Sequence, residues 1–211
     1  MSGFEVDGTH TLRDLGLCCS NRVLTPPVKK TVRKSIPYSD GELDFSLLGG
    51  RAFFEARTLS FSFDLLADTP EELERDVSRL REFVSLVHDA DIYDDDVPYY
   101  HFHGSFDAME EEPDEYGLSS AVTVSFNVSP YKESNDFAEQ PVQTGDNIVH
   151  NDGMWTRPAI VATGSVTVQA GTLKQTYPAG ETVMDIPLEH GDNAIKIASG
   201  NATIKWRERR L

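Results

Sequence analysis

An alternating strand, a capped helix and a second alternating strand follow one another between Arg57 and Lys132, and this succession constrains the fold most. Apolar side chains recur at every second position from Leu59 to Leu65 in RTLSFSFDLL and from Val122 to Val128 in AVTVSFNV. A period of two is typical of a strand with one dry and one wet face. Because Pro130 lacks a backbone N–H, we predict that the second strand ends there. Both dry faces require a cover.

The segment between the two strands opens with a helix start signal. Thr69 precedes Pro70, and Glu72 follows Thr69 by three residues, which is a capping box with proline in the first turn. Apolar residues then recur at steps of four and three, on one stripe of the helix. They are Leu73, Val77, Leu80, Val84 and Val87. We predict that this stripe covers the dry faces. Burial of each side chain is worth roughly 1.5–3 kcal/mol, so the stripe outweighs the cap, which is worth about 1 kcal/mol.

Short strands separated by turn residues fill most of the remaining chain. Beyond Tyr131 the stretch KESNDFAEQPVQTGDN is polar and has no period, as a domain boundary would. We therefore predict a mainly β protein. Residues 1–133 form a β-sandwich or barrel with one helix, residues 134–147 form a linker, and residues 148–211 form a small β-sandwich.

The formal net charge of −16 argues against a role that depends on neutralising phosphates or on an anionic membrane surface. No stretch approaches the roughly 20 apolar residues of a membrane span, and the N-terminus lacks the pattern of a signal peptide. Cys18 and Cys19 are adjacent and poorly placed to bridge each other, which fits a reducing compartment.

Charge is separated along the chain into two poles. A basic pole lies within residues 24 to 50, which we interpret as a long hairpin or arm with a turn at Ser39-Asp40-Gly41 before the alternating residues Leu43, Phe45 and Leu47. An acidic pole runs from Asp89 to Glu115, where we predict a short strand over residues 99–104 flanked by acidic loops at residues 94–96 and 110–115. In a head-to-tail assembly the two poles of neighbouring subunits would meet and set the register. The residues predicted at this subunit interface are Lys29, Lys30, Arg33, Lys34, Asp94, Asp95, Asp96, Glu110, Glu111 and Glu112.

The sequence holds no arrangement that indicates catalysis, and no nucleotide-binding or nucleophile-elbow motif is present. We predict no cofactor. His101 and His103 near residues 94–96 resemble the start of a metal site, but two surface histidines beside solvated acids are the favoured interpretation, so we predict no metal. Trp155 and Trp206 are candidates for the floor of a sugar site, although two tryptophans in a small sandwich are more often core residues.

The order of several short segments resembles the distal tail protein family of long-tailed siphophages. The N-terminal segments are Phe4 followed by THTLRDLGL, then IPYSDGELDFS, RTLSFSFDL and SFNVSPYK, over residues 4 to 132. The C-terminal segments NDGMWTRPAI, ETVMDI, GDNAIKI and ATIKWRERR are similar to the family's second domain. The resemblance implies a tail-tube-like N-terminal domain, a galectin-like C-terminal domain and no catalysis.

The same resemblance implies a structural protein of the virion, assembled in the host cytoplasm as a six-membered ring at the tail tip. Its partners would be the tail-tube protein, a tail-tip hub or tail-associated protein, and receptor-binding proteins. DNA would pass through the lumen, whose wall should then be neutral or acidic. The C-terminal domain is shorter than is usual for the family. Two alternatives stay open, which are a tail-tube subunit and a carbohydrate-binding module for host surface glycans.

Overall fold

The computed structural model describes residues 2–38, 40–46 and 50–211, which form one α-helix and 18 β-strands in two compact units. The units are Met1–Pro130 and Tyr131–Leu211. The predicted turn residue Ser39 and the positions Leu47 and Gly49 lie outside the described residues. Within the described part of the chain, no helix has the length and apolar character that a membrane span requires.

Seven strands of the first unit form one sheet in the order β2-β1-β7-β8-β9-β6-β3. Ser2, two residues before β1, forms a β-bridge with Cys19 at the start of β3. This bridge connects the β1 side of the sheet to its last strand, so the sheet closes on itself as a barrel. The elements are β1 Phe4–Val6, β2 Thr9–His10, β3 Cys19–Leu24, β4 Arg33–Ser35, β5 Glu42–Asp44, β6 Arg57–Leu66, α1 Pro70–Ser85, β7 Ala90–Asp94, β8 Tyr100–Pro113 and β9 Ser119–Ser134.

The two alternating strands of the sequence are β6 and β9, and they are antiparallel neighbours. Their pairing runs without interruption from Arg57 opposite Val128 to Leu66 opposite Ser119. The apolar members of both strands are buried in one core, as the period of two predicts. Gly104 lies where β8 approaches β9, and a Cβ atom there would stand 2.4 Å from the carbonyl oxygen of Asn127. Only glycine fits this approach.

Helix α1 covers the dry faces of these strands, which confirms the predicted packing. Thr69 has extended backbone angles, and its side chain accepts a hydrogen bond from the N–H of Glu72 at 3.3 Å. Pro70 occupies the first turn. The four apolar positions from Leu73 to Val84 are buried on the core side, and Val87 joins the same core just after the helix ends.

Two sequence expectations in the first unit were wrong. β9 continues four residues past Pro130, because its pairing with β6 ends at Val128 and the missing proline N–H therefore interrupts no bond of that ladder. The acidic run Glu110–Glu112 was expected in a loop but belongs to β8, a strand of 14 residues. Its cross-strand partner β9, and not its own composition, keeps this segment extended.

The second unit is a β-sandwich of two four-stranded sheets around one core, as predicted. The sheets have the orders β10-β17-β12-β15 and β11-β16-β13-β14. The strands are β10 Ala138–Val142, β11 Gly145–Asn151, β12 Ala159–Ala162, β13 Val166–Ala170, β14 Leu173–Tyr177, β15 Gly180–Val183, β16 Gly191–Ser199, β17 Ala202–Trp206 and β18 Arg209–Arg210. β18 pairs with residues 132–133 at the end of β9.

The predicted linker over residues 134–147 contains β10 and the start of β11, so the stretch is part of the sandwich. β10 pairs with β17 over five residues, and Val142 is buried in the core. As an edge strand, β10 accommodates Pro141 without losing an essential donor. The polar sequence of β10 does not predict a strand, and pairing with β17 makes the segment extended.

Candidate subunit interface

In the structure the arm extends beyond the predicted residues 24 to 50: it leaves the barrel after β3 ends at Leu24 and returns where β6 begins at Arg57. Polar contacts fix its root. The N–H of Thr25 donates to the carbonyl of Thr58 at 2.9 Å, and the hydroxyl oxygen of Thr25 accepts from the N–H of Thr58 at 2.8 Å. The guanidinium of Arg57 donates to the carbonyl of Thr25 at 2.7 Å. These bonds define where the arm emerges.

Beyond its root the arm is a two-stranded ribbon. Lys29 bridges to Phe54, and farther out β4 pairs with β5, with Arg33 opposite Asp44. The N–H of Phe45 donates to the carbonyl of Val32 at 2.7 Å, which extends the pairing by one residue. A two-stranded hairpin is marginal in water by itself. Contact with another surface would therefore stabilise this ribbon.

Apolar side chains of the ribbon are exposed instead of buried. Val32 and Phe45 are opposite each other, and Lys34 is opposite Leu43, so these four share one face of the ribbon. Six apolar residues in the described part of the arm are between 37% and 55% exposed, and Tyr38 near its tip is fully exposed. The six are Val28, Val32, Ile36, Leu43, Phe45 and Phe53. We call them the apolar arm residues.

All four basic residues predicted at the interface lie on the outgoing strand of the arm, and each is exposed. They do not stand alone, because acidic residues line the returning strand. Arg33 is 3.7 Å from the carboxylate of Asp44. Hydrogen bonds from Ser46 hold the pKa of Asp44 below its ordinary value, with Arg33 and Lys29 acting in the same direction. The basic pole is thus partly neutralised within the ribbon itself.

The structure removes Asp94 from the set of exposed acids. Asp94 is buried, and its carboxylate accepts from Arg22 at 2.6 Å and from the N–H of Asp96 at 3.0 Å. Burial raises the pKa of Asp94 above its ordinary value, although both contacts act in the opposite direction. The pair joins β3 to β7, near the line where the barrel closes.

Asp95 also serves the closure of the barrel. Its carboxylate accepts from the N–H of Gly3 at 2.9 Å and contacts Nε2 of the buried His10 at 3.2 Å. Nδ1 of His10 accepts from the N–H of Leu12 and of Arg13, so Nε2 carries the proton and donates to Asp95. Asp95 and Asp96 are both exposed, but the Asp95 carboxylate is held by Gly3 and His10. Asp96 is therefore the member of residues 94–96 best placed to contact another molecule.

The second predicted acidic group lies along the exposed part of β8. Glu110, Glu111 and Glu112 are all exposed. Glu111 accepts from Arg81 of helix α1 at 2.6 Å, and this contact raises the pKa of Arg81. Glu111 is therefore paired within its own chain, whereas Glu110 and Glu112 face solvent.

His101 and His103 have different surroundings. His101 is buried and lies against the ring of Tyr93, with 5.2 Å between ring centres. His103 lies between two carboxylates, with Nδ1 2.8 Å from Asp91 and Nε2 2.9 Å from Asp89. The contact with Asp91, followed by that with Asp89, raises the pKa of His103. Among the described residues no cluster of three or more ligating side chains has the arrangement of a metal site.

Comparisons with known proteins bear on the fold as a whole. No protein-family model matches the chain, and no curated protein matches its sequence. The crystal structure of the Dit protein (gp 19.1) of phage SPP1 superposes with a TM-score of 0.76 at 19% identity, over 100% of both chains. The chain has the Dit fold. That SPP1 protein is described as a paradigm of the hub adsorption apparatus in phages that infect Gram-positive bacteria.

Two structures of the phage P2 baseplate in its activated conformation, with Ca and with Sr, have TM-scores of 0.46 and 0.49. Their identities are 5% and 6%, over 100% of this chain and 98% of theirs.

Within the Dit fold of this chain, neither tryptophan offers an open aromatic floor for a sugar. Trp206 is a core residue of the second unit. Trp155 is half-buried, and the guanidinium of Arg209 lies 5.4 Å from its ring centre. The core interpretation of Trp206 was the better one.

The sequence analysis missed the exposed aromatic residues of the arm. It placed Phe45 in an alternating strand and did not single out Phe53 or Tyr38. Alternation alone predicts one dry face and does not say whether the same chain or another molecule covers it. The density of apolar residues in a segment with no following helix was the available signal.

Proposed function

We propose that this protein is a structural component of a phage virion that forms a hexameric ring at the distal end of the tail. The ring joins the tail tube to the tip hub or a tail-associated protein, with receptor-binding proteins as further partners. The Dit fold over the whole length of the chain supports this assignment. The proposed role is mechanical and uses no cofactor or catalytic group.

The single observation that carries the proposal is the arm with its exposed apolar residues. A monomer that keeps this ribbon in water gains nothing from Val32, Phe45 and their neighbours. Burial of a half-exposed apolar side chain on a neighbour is worth about 1 kcal/mol, so six of them supply a substantial part of an interface. A contact that uses an arm on one subunit and a different surface on the next is head-to-tail, and it produces a closed ring when its rotation closes.

Charge sets the register of this contact and supplies little of its affinity. Exposed ion pairs are worth roughly 0–1 kcal/mol each and are screened at physiological salt, where the Debye length is about 8 Å. Of the acidic residues predicted to receive the arm, Asp96, Glu110 and Glu112 stay candidates. Asp94 is withdrawn because it is buried and paired with Arg22.

The tail tip is the proposed location, with assembly in the host cytoplasm and DNA passing through the lumen. A tail-tube subunit would also form rings, but it would stack them one on another. The two roles therefore differ in whether purified rings polymerise with each other.

The test is the mass of the purified chain in solution, by light scattering and native mass spectrometry. A hexamer of 23.5 kDa subunits has a mass of about 141 kDa. We expect this species, alone or with a tail-tube partner, and no longer stacks. A chain that stays monomeric at high concentration with and without a tube partner contradicts the ring, and open stacks favour the tail-tube role.

A charge-reversal pair sharpens the same test. Lys30→Glu with Lys34→Glu alters the arm, and Lys174→Glu with Lys196→Glu makes the same change in net charge on exposed strands of the second unit. We expect the arm variant to assemble less than the control at low salt, with both equally folded. Equal assembly of the two variants would show that the arm cations make no contact with an acidic neighbour.

A further inference from the structure

The strands of the barrel are joined unevenly around its circumference. β6 and β9 pair along the whole 10-residue length of β6. Where β1 and β3 meet, in contrast, the described residues form one β-bridge, between Ser2 and Cys19, and the Cys19 N–H donates to the Ser2 carbonyl at 2.9 Å. We call this line of closure the seam. Its backbone pairing is far sparser than that of the β6–β9 ladder, so other contacts must hold it.

Two consecutive aspartates at the end of β7 supply those contacts. The Asp94 carboxylate accepts from Nε of Arg22 on β3 at 2.6 Å. The Asp95 carboxylate accepts from the N–H of Gly3 at 2.9 Å, and the Asp95 N–H donates to the Gly3 carbonyl at 3.2 Å. Asp94 therefore holds one side of the seam, and Asp95 holds the other. We call these two residues the seam aspartates.

The ion pair of Asp94 and Arg22 fixes the geometry of the seam at a high cost in desolvation. Asp94 is buried, and Nη2 of Arg22 is buried without a hydrogen-bond partner. Removing two charges from water offsets much of their attraction, so such a pair adds little net stability. Local opening is easiest where few backbone bonds and little apolar burial oppose it. The seam, with one bridge and the small residues Ser2 and Gly3, meets both conditions.

The core limits how much of the N-terminal segment can leave. The ring of Phe4 packs on those of Phe61 and Phe126, with 4.5 Å and 5.2 Å between ring centres, which anchors β1. Gly3 has no side chain that could serve as such an anchor, and it fits closely, since a Cβ atom there would lie 2.5 Å from Oγ1 of Thr11. The part of the segment that can separate from β3 therefore ends at Gly3.

We propose that the seam opens as a local unit while the rest of the barrel stays folded, and that the seam aspartates control this opening. In the open state residues 2–3 leave β3, and the contact between Asp94 and Arg22 breaks. Because β3 ends at Leu24 and the chain continues directly into the arm, the open state also loosens the root of the arm.

The opening is coupled to assembly through the arm. A neighbouring subunit that binds the arm with its root fixed prefers the closed state, so it shifts the population toward that state. This consequence rests on the proposed ring, whereas the opening itself is a property of one subunit.

Cys19 reports the state of the seam because it forms the bridge. It is buried in the closed barrel, and its thiol donates to the carbonyl of Asn21 at 2.9 Å. In a Cys18→Ser chain, Val124→Cys adds a second buried thiol within the β6–β9 ladder. Global unfolding exposes both thiols, whereas opening of the seam exposes Cys19 alone. Labelling with N-ethylmaleimide at constant pH, followed by peptide mass spectrometry, gives the rate at each position.

In dilute monomer we expect Cys19 to react at least tenfold faster than the thiol at position 124. Equal rates would overturn the inference, because Cys19 would then become accessible only when the whole barrel unfolds. This comparison leaves the seam aspartates intact, so it does not depend on the folding of a seam variant.

A substitution at the seam tests the role of the aspartates. Asp95→Ala removes the acceptor of the Gly3 N–H, and we expect the Cys19 rate to rise at least tenfold with no change at position 124. Asp96→Ala is the matched control, because Asp96 is exposed and the two seam contacts belong to Asp94 and Asp95. Equal effects of the two substitutions, or equal acceleration at both thiols, would overturn the role of the seam aspartates.

Assembly tests the coupling to the arm. We expect Cys19 in isolated rings to react at least threefold more slowly than in monomers. Ser20→Cys, at the exposed neighbouring position, controls for direct cover by another subunit and should react equally in both states. Equal Cys19 rates in rings and monomers, or equal protection at both positions, would overturn the coupling. A chain that forms no ring contradicts the proposed function and the coupling with it, while the monomer measurement still decides whether the seam opens.

Discussion

The core strand β6 and the arm have the same kind of alternating sequence and opposite surroundings. Leu59, Phe61 and Phe63 alternate with hydroxyl residues and are buried. Val32 and Phe45 also belong to extended segments with polar neighbours, yet they are exposed. The difference is the cover, because helix α1 follows β6 along the chain and packs on it, whereas the described part of the chain places no helix on the arm.

This contrast gives alternation a more exact meaning. A period of two indicates that a strand has one apolar face. The sequence that follows the strand indicates whether the same chain provides an element, such as a helix, that covers this face. Where it does not, the cover comes from another molecule or the apolar surface stays in water. The following predictions test that distinction, starting with the largest effect.

Leu80→Asp should unfold the first unit. Leu80 is fully buried on the helix stripe, and an uncompensated carboxylate there costs several kcal/mol through desolvation and lost packing. Leu66→Asp is the matched control, since Leu66 is 81% exposed at the end of β6. Circular dichroism and thermal melting should show loss of the cooperative transition of the first unit in Leu80→Asp only. A folded Leu80→Asp chain would refute the cover assigned to α1.

Val32→Ser with Phe45→Ser should remove assembly and leave the fold intact. The two residues are opposite each other on the arm. Each stabilises an interface by about 1 kcal/mol if a neighbouring subunit buries it, and this loss is repeated at every interface of the ring. Ile148→Ser, at a 63% exposed position of the second unit, is the control. Native mass spectrometry should show monomers for the arm variant and rings for the control. Intact rings of the arm variant would contradict the inference that a neighbouring subunit covers the apolar face of the arm.

Thr69→Ala should weaken the covering helix by about 1 kcal/mol, because the N–H of Glu72 loses its acceptor at the N-cap. Thr69→Ser keeps the acceptor and should lose only a few tenths of that amount. Denaturant unfolding of both variants measures the difference. A Thr69→Ala effect as large as that of Leu80→Asp would reverse the ranking of cap and stripe.

His103 should make the stability of the first unit depend weakly on pH. Its contacts with Asp91 and Asp89 raise its pKa in the folded state, so protonation is favoured on folding. The stabilisation is fully present below the unfolded pKa of about 6.5 and is lost as pH rises through the folded pKa. Both partners are partly exposed, so the effect is small.

Melting temperatures between about pH 6 and pH 9 measure this dependence. His103→Gln should flatten the decline with rising pH, and His88→Gln, at an exposed position of the same turn region, should not. An identical pH profile in His103→Gln and the parent would mean that the two carboxylates do not act on the imidazole in solution.

Sequence reasoning succeeded where residues close together in the chain supply both halves of an interaction. The N-cap at Thr69, the helix stripe and the alternation of β6 and β9 were all predicted, and the structure confirms them. It failed where a distant partner decides. Polar residues 138–142 become β10 because β17 pairs with them, and β9 passes Pro130 although a proline signals an end.

The candidate site shows the same division. The exposed basic residues of the arm were predicted from composition, since a local cluster of Lys and Arg stays at the surface. Asp94 was misjudged, because its burial against Arg22 depends on how the closing barrel brings β3 and β7 together. Nothing within three consecutive aspartates marks one of them as buried.

The sequence by itself determined the helix, the two core strands β6 and β9 with their dry faces, and the excess of negative charge, because periodicity, capping and composition are properties of neighbouring residues. Only the tertiary structure decided that the barrel closes from Ser2 to Cys19 and that the apolar arm residues stay uncovered. These features arise from pairings between residues far apart in the chain, and the free energy of such pairings depends on geometry that no local pattern encodes.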